Sequence, residues 1–419
     1  MAWCAFRFPP DAPRANVDVL ISTCVFYRPN YTKFTAAGSL QDVTHARQAS
    51  FLTVLGFYER AYEVVPWFRH RVVVRVYYDD SLEAYATPQG TRPWPATMAR
   101  LRDHPGFQMV WFRADAPRFR EGDGHRGLLG TLVRFHAACE GSPPPAARVV
   151  AVVDADSFYA KEWWKKQLEF AASPDPGHDV LGLTSPFELM FHAAASVTRP
   201  EHVARLKPTL KAGLTSFRRR FPAGHFDAVG TTDFERLRPH MRYLDAMRPA
   251  VYPTSQNEQA RLFEEFSYGI DELLLNVWLT ESDLRVGVVE LERSGGPRYF
   301  FDRLLAFLRW NVGTGGRSVA CQRLAKALGA TDGDLVALVD AAANKVTDAT
   351  SLAAAIAPWK QHMGLWTLLQ VDGRILAVIA GAGASVNGAK PAKAQDFIVD
   401  CCQKDPAEML AEMAKWRLP

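Results

Sequence analysis

The stretch RVVAVVDADSFY, residues 148–159, decides how the rest of the chain is read. Four valines and an alanine form an apolar run without a polar interruption, the pattern of a strand buried on both faces. The run ends on Asp154 and Asp156, two like charges separated by one small residue. Carboxylates that close repel each other and lose solvation, so a positive partner is expected beside them. Alternation along an extended segment turns both side chains to one side, where magnesium or manganese can meet them directly or through water. A plainer role also fits, in which one aspartate caps the following helix and the other is solvated.

Upstream, β-branched runs alternate with amphipathic ones. VDVLISTCVF (17–26), HRVVVRVYYDDS (70–81) and FQMVWFRAD (107–115) read as strands. Helices are expected at 44–66, ending on Pro66, at 96–103, and at 124–140 after glycines. Strict alternation argues for an α/β fold with a mostly parallel sheet flanked by helices. In such sheets ligands bind beyond the carboxyl ends of the strands. Asp79 and Asp80 end the second strand and Asp154 and Asp156 the fourth, so acidic groups collect at that edge. Downstream, 178–187 and 284–291 read as strands, 188–262 as mixed structure with a basic cluster at Arg218–Arg220, 266–282 as a loop entering a helix, and 300–419 as a helical, alanine-rich region.

Composition narrows the class. The 419 residues carry 49 Lys+Arg against 45 Asp+Glu, a net charge of +4 that is too small to coat nucleic acid or a membrane surface. The six cysteines are scattered without a CxxC pair, the pattern of reduced thiols. The longest apolar run, 375–386, is shorter than the ~18 residues a membrane span needs. The expectation is a cytoplasmic protein with no membrane span and no nucleic-acid partner.

With STCVF, YYDDS, RGLLGTLVRF and above all VVDADSF in place, the chain resembles the GT-A family of nucleotide-sugar glycosyltransferases over roughly residues 17–290. The resemblance implies a Rossmann-like transferase domain at 17–295, with a nucleotide-binding half at 17–160 and an acceptor half at 161–295, followed by the helical region 300–419. It implies transfer of a sugar from a nucleoside-diphosphate sugar, UDP-linked in preference to GDP-linked, to a hydroxyl of a glycan or protein, with Mn²⁺ or Mg²⁺ as cofactor. Asp156 would be the principal metal ligand, and Asp154 would contact the ribose or reach the metal. A turn carrying Ser22, Thr23 and Cys24 would sit by the nucleobase, with Asp79 or Asp80 on base or ribose and Arg126 and Arg134 on the nucleotide.

An inverting member needs a carboxylate to take the acceptor proton, and many place it at the start of a helix in the second half. Asp271 and Glu272 in SYGIDELLLN match that place, although acidic residues favour helix N-termini for electrostatic reasons alone. His225 and His362 are weaker metal-ligand candidates, and Trp163 and Trp164 can serve a sugar platform or the core. A haloacid-dehalogenase-like phosphatase would use Asp154 as nucleophile, but its motif normally lies on the first strand of its domain. A nucleotidyltransferase would need a glycine-rich basic loop after the first strand, where only Gly38 stands. A degenerate, non-catalytic binding protein is the remaining class.

Overall fold

The computed structural model describes residues 4–10, 16–29, 32–34, 40–115, 120–121, 124–125, 129–139, 141, 146–184, 209–222, 270–289, single positions between 331 and 351, 397–400 and 405–419. Its centre is an eight-stranded mixed sheet. In chain order the strands are β1 (Cys4–Arg7), β2 (Asn16–Val25), β3 (Val72–Tyr78), β4 (Phe107–Ala114), β5 (Ala146–Val153), β6 (Val180–Thr184), β7 (Leu210–Phe217) and β8 (Val286–Val289). Across the sheet they run β1-β4-β3-β2-β5-β7-β6-β8. β4, β3, β2 and β5 are mutually parallel, as are β6 and β8, while β1 and β7 run against their neighbours. This is the expected α/β architecture, with two antiparallel strands that the sequence pattern does not announce.

The helices follow from their apolar spacing. α1 (Thr44–Val64) buries Phe51, Val54, Leu55, Tyr58 and Ala61 on one face, and its first turn is held by Asp42, whose Oδ1 accepts from the Thr44 N–H at 2.8 Å. It stops at the extended Val65 because α2 (Pro66–Arg71) opens on a residue that cannot donate to the preceding turn. α3 (Pro93–Arg102) likewise opens on proline. The expected helix at 124–140 is broken up: Gly124–His125 pairs with Arg120–Glu121, α4 spans only Gly130–Val133, and Arg134–Ala138 tightens into a 3₁₀ turn. Tertiary bonds account for the break, since the Ser22 hydroxyl takes the Arg134 carbonyl and Cys139 bridges to Phe221. α5 (Lys161–Ala172) buries both Trp163 and Trp164, so both tryptophans are core residues. α6 (Ile270–Glu281) and α7 (Pro406–Met413) complete the described helices used below.

The C-terminal residues return to the first half of the chain. Ile398–Asp400 pairs antiparallel with Ser157–Tyr159, immediately after the acidic pair. Met409 and Met413 of α7 join the cluster formed by α1, α2 and the sheet, and the Trp67 indole donates to the Met413 carbonyl at 3.0 Å. Burying two such side chains is worth about 1.5–3 kcal/mol each. Most of 300–396 lies outside the described residues, and with it the expected helical appendage.

Candidate functional site

β2, β3 and β4 step to one side of the sheet and β5 to the other, so the strand order reverses between β2 and β5. The crevice beyond the carboxyl ends of those two strands is the topological switch point, where open α/β sheets take their ligands. β5 delivers Asp154 and Asp156 to that place. The Val149–Val153 segment has essentially no solvent exposure, so the carboxylates are carried on a rigid element.

Arg134 organises the pair. Its guanidinium donates to Asp154 Oδ1 at 2.5 Å, to Asp271 Oδ2 at 2.5 Å and to the Val153 carbonyl at 2.9 Å. Burial works against its charge, but Asp154 and Asp271 raise its pKa further than burial lowers it, so it stays protonated. Burial also pushes the Asp154 carboxyl up; Arg134, its hydrogen bond, Lys211 and Arg47 together outweigh that and hold it below the usual value. The Asp154 side chain remains 44% exposed, against 4% for Arg134. Its second oxygen, Oδ2, faces Gly213 on β7, where any side chain would collide: a Cβ would lie 2.0 Å from it. Asp156 is half-buried and, among the described residues, accepts a long bond from the Ser157 hydroxyl at 3.5 Å. Tyr159 fixes the turn by donating to the Asp154 carbonyl at 3.0 Å.

α6 is locked into the same crevice. β7 pairs with β5 only as far as Leu214 opposite Val153. Beyond that point α6 side chains take up the strand's backbone groups: Asn276 accepts from the Leu210 N–H at 2.7 Å and donates to the Leu210 carbonyl at 2.9 Å, and Glu272 accepts from the Ala212 N–H at 3.4 Å. The first turn of α6 therefore stands where β5 leaves off. Both Asp271 oxygens are engaged, Oδ2 by Arg134 and Oδ1 by the Glu272 N–H at 3.0 Å.

The remaining residues singled out from the sequence fall elsewhere on this edge. Ser22, Thr23 and Cys24 are not in a turn but inside β2, fully buried, with the Thr23 hydroxyl on the Val153 carbonyl and the Cys24 thiol pushed up to about 12 by burial. The chain leaves the sheet only at Phe26–Arg28, before Pro29. Asp79 is buried and accepts from the His125 N–H at 3.0 Å, from His125 Nδ1 at 2.7 Å and from Ser81. Asp80 accepts from the Trp111 indole at 2.6 Å. Arg126, His225 and His362 lie outside the described residues. Sequence reasoning missed His125, Gly213, Asn276 and Lys211; none carries a local signal, because each acquires its role from another strand or helix.

The donor set suits a divalent ion that completes its shell with ligand oxygens. Among the described residues no group of three His, Cys, Asp or Glu side chains is placed to hold a metal alone. Asp154 Oδ2 and the Asp156 carboxylate are nevertheless two hard oxygen donors at one edge, which fits the habit of magnesium and manganese of binding through one or two carboxylates plus phosphate oxygens and water. Among the described residues no helix is long and apolar enough to cross a membrane.

No family model matches the sequence, and no curated protein matches it. Among solved structures the chain is similar to the mannosyltransferase PcManGT from Pyrobaculum calidifontis in complex with GDP-Man and Mn²⁺, at 13% identity, covering 97% of this chain and 89% of that one, with a TM-score of 0.30.

Proposed function

We propose that the chain is a metal-dependent glycosyltransferase of GT-A type, moving a sugar from a UDP- or GDP-linked donor to a hydroxyl of a glycan or protein. The observation that carries this reading is the half-exposed Asp154–Asp156 pair at the end of buried β5, beside the crevice where the strand order reverses. Asp156 and Asp154 Oδ2 would hold the ion, which when bound supplies positive charge to the diphosphate leaving group. Arg134 keeps Asp154 ionised and oriented, so one oxygen is committed and the other is presented. Thr23 and Cys24 form the floor of the nucleotide half, and Asp79 and Asp80 brace its wall. The proton of an attacking hydroxyl, in an inverting transfer, would go to the first turn of α6. Asp271 and Glu272, which open that helix, are the two carboxylates at that place.

Calorimetric titration of UDP, GDP and their common sugars, with and without Mn²⁺, tests the proposal on wild type and Asp156→Ala. Metal-dependent binding that falls at least ~100-fold in the variant, with an unchanged melting temperature, supports the transferase. No nucleotide binding, alongside hydrolysis of a generic phosphate ester that requires Asp154, would replace it with the phosphatase. That outcome is disfavoured by the strand's place, fifth in chain order among the strands of the eight-stranded sheet, and by the guanidinium on Asp154 Oδ1.

A further inference from the structure

We propose that the C-terminal residues 397–400 and 405–419 are a positioning element of the acidic turn: the strand Ile398–Asp400 holds the residues that follow Asp156, and through them the metal-binding geometry of the N-terminal half. The inference rests on the transferase reading and gives the end of the chain a part in donor binding.

Asp154 and Asp156 sit between two supports of different kinds. On one side β5 holds them from the interior of the sheet. On the other, Ser157–Tyr159 leaves the eight-stranded sheet and forms a separate two-stranded ribbon with Ile398–Asp400. Ser157 lies opposite Asp400, Phe158 opposite Val399 and Tyr159 opposite Ile398. The Ala160 N–H closes the ribbon on the Phe397 carbonyl at 2.9 Å. Phe158 and Tyr159 are buried, so their backbone groups are cut off from water and need this partner. The same short stretch reaches the acidic pair, with the Tyr159 hydroxyl on the Asp154 carbonyl at 3.0 Å and the Ser157 hydroxyl on Asp156 Oδ1 at 3.5 Å.

A two-stranded ribbon is marginal by itself, so its rigidity has to come from what anchors it. Phe397, at its C-terminal arm, is buried in the main core cluster. Beyond it, Asp405 caps α7 by accepting from the Ala407 N–H at 2.9 Å, and Met409 and Met413 bury against α1 and α2. Trp67 of α2 donates to the Met413 carbonyl and stacks on Trp416, with ring centroids 6.3 Å apart. The Arg71 guanidinium takes the Pro419 carbonyl. The other arm is fixed by Phe158, whose ring lies 4.5 Å from that of Phe57 on α1, and by Tyr159 against Trp163 at 4.4 Å. A shift of this ribbon moves Asp156 relative to Asp154, which β5 keeps in place. Carboxylates that share an ion must hold their places within about 0.5 Å, and losing outer support of this kind costs about 10–100-fold in metal affinity.

The test compares wild type, Val399→Pro, Asp156→Ala and Leu101→Ala. Proline at 399 removes an amide donor from the middle of the paired residues. Leu101→Ala opens a cavity under α3, away from the ribbon, and supplies a matched loss of melting temperature. Calorimetry follows binding of UDP or GDP, whichever wild type takes, across a Mn²⁺ series, and of the matching nucleoside. The expected result is that Val399→Pro needs about tenfold more Mn²⁺ or higher for half-maximal diphosphate binding and binds the nucleoside as wild type does, while Leu101→Ala keeps the wild-type Mn²⁺ requirement. A wild-type Mn²⁺ requirement in Val399→Pro, with Asp156→Ala still defective, overturns the inference and leaves the transferase standing. An equal rise in Leu101→Ala also overturns it, since that marks a general loosening. If Val399→Pro does not fold, amide exchange on wild type decides: the diphosphate with Mn²⁺ is expected to slow exchange at 397–400 together with 157–160, and unchanged exchange at 397–400 overturns the inference. Failure of wild type to bind either nucleoside diphosphate removes the transferase reading and this inference together.

Discussion

Asp79 follows β3 and Asp154 follows β5, so both carboxylates stand at the carboxyl edge of the parallel part of one mixed sheet, on strands without solvent exposure along most of their length. Folding lowers the pKa of each. For Asp79 burial is the largest influence and acts upward, but His125 and Ser81 outweigh it; for Asp154 the same contest is decided by Arg134. Their accessibility differs sharply: the Asp79 side chain is 2% exposed and that of Asp154 44%. Asp79 has both oxygens occupied by donors from its own edge, which makes it a brace that ties the loop at His125 to β3. Asp154 commits one oxygen to a buried guanidinium and turns the other toward Gly213, with its side chain still partly exposed. A low carboxylate pKa therefore does not separate a closed aspartate from a partly open one; the number of lone pairs already taken does.

The largest effect is expected at Arg134. Replacing it by methionine leaves Asp271 buried without its counter-charge and frees Asp154, and a loss of about 3–5 kcal/mol is expected, read from urea unfolding. If Arg134→Met unfolds at the wild-type midpoint, the clamp is not what joins α6 to β5. Asp79→Asn should cost less, about 1–3 kcal/mol, because the amide keeps part of the hydrogen bonding and loses only the charge-assisted share. Folding depresses the Asp79 pKa below its ordinary value near ~3.9, so its contribution is complete above that value and drains as pH falls through the depressed one. The wild-type advantage over Asp79→Asn should be full at pH 7 and shrink below about pH 4. An advantage independent of pH would show that the carboxylate charge contributes nothing. Nucleotide affinity, by contrast, should change little in this variant, in keeping with a closed brace.

Gly213→Ala carries the smallest expected cost to the fold. The new methyl has nowhere to go but the Asp154 carboxylate, which is partly exposed and can swing aside. Stability should fall by about 1 kcal/mol as the Arg134 contact loosens, while metal-dependent nucleotide affinity drops about tenfold. Unchanged affinity would mean that the orientation of Asp154 is immaterial to the ion.

Much of the frame was legible because burial on both faces leaves a plain record. The valine runs of β3 and β5 can only be interior strands of a covered sheet, and the helices between them show their apolar stripes. The two antiparallel strands left no such record. β7 reads LKAGLTSF, with a lysine, a glycine and two hydroxyls, and its pairing with β6 is irregular between Leu210 and Thr215. Ser22–Cys24 pass for turn residues by type, yet β2 runs on to Val25, its polar groups satisfied by Arg134 and Val153 carbonyls that lie 112 and 130 residues away.

The sequence by itself placed an acidic pair at the end of a buried strand and put Asp79, Arg134 and Asp271 among the candidate site residues, since strand burial and motif position are local properties. Tertiary structure alone decided what each does. Arg134 became a clamp because the 3₁₀ turn brings it between β5 and α6, Asp79 became a brace because His125 folds onto it, and Gly213 matters because β7 runs antiparallel beside β5. Whether a carboxylate binds or merely holds depends on how many of its lone pairs distant residues have taken, and no stretch of sequence contains that count.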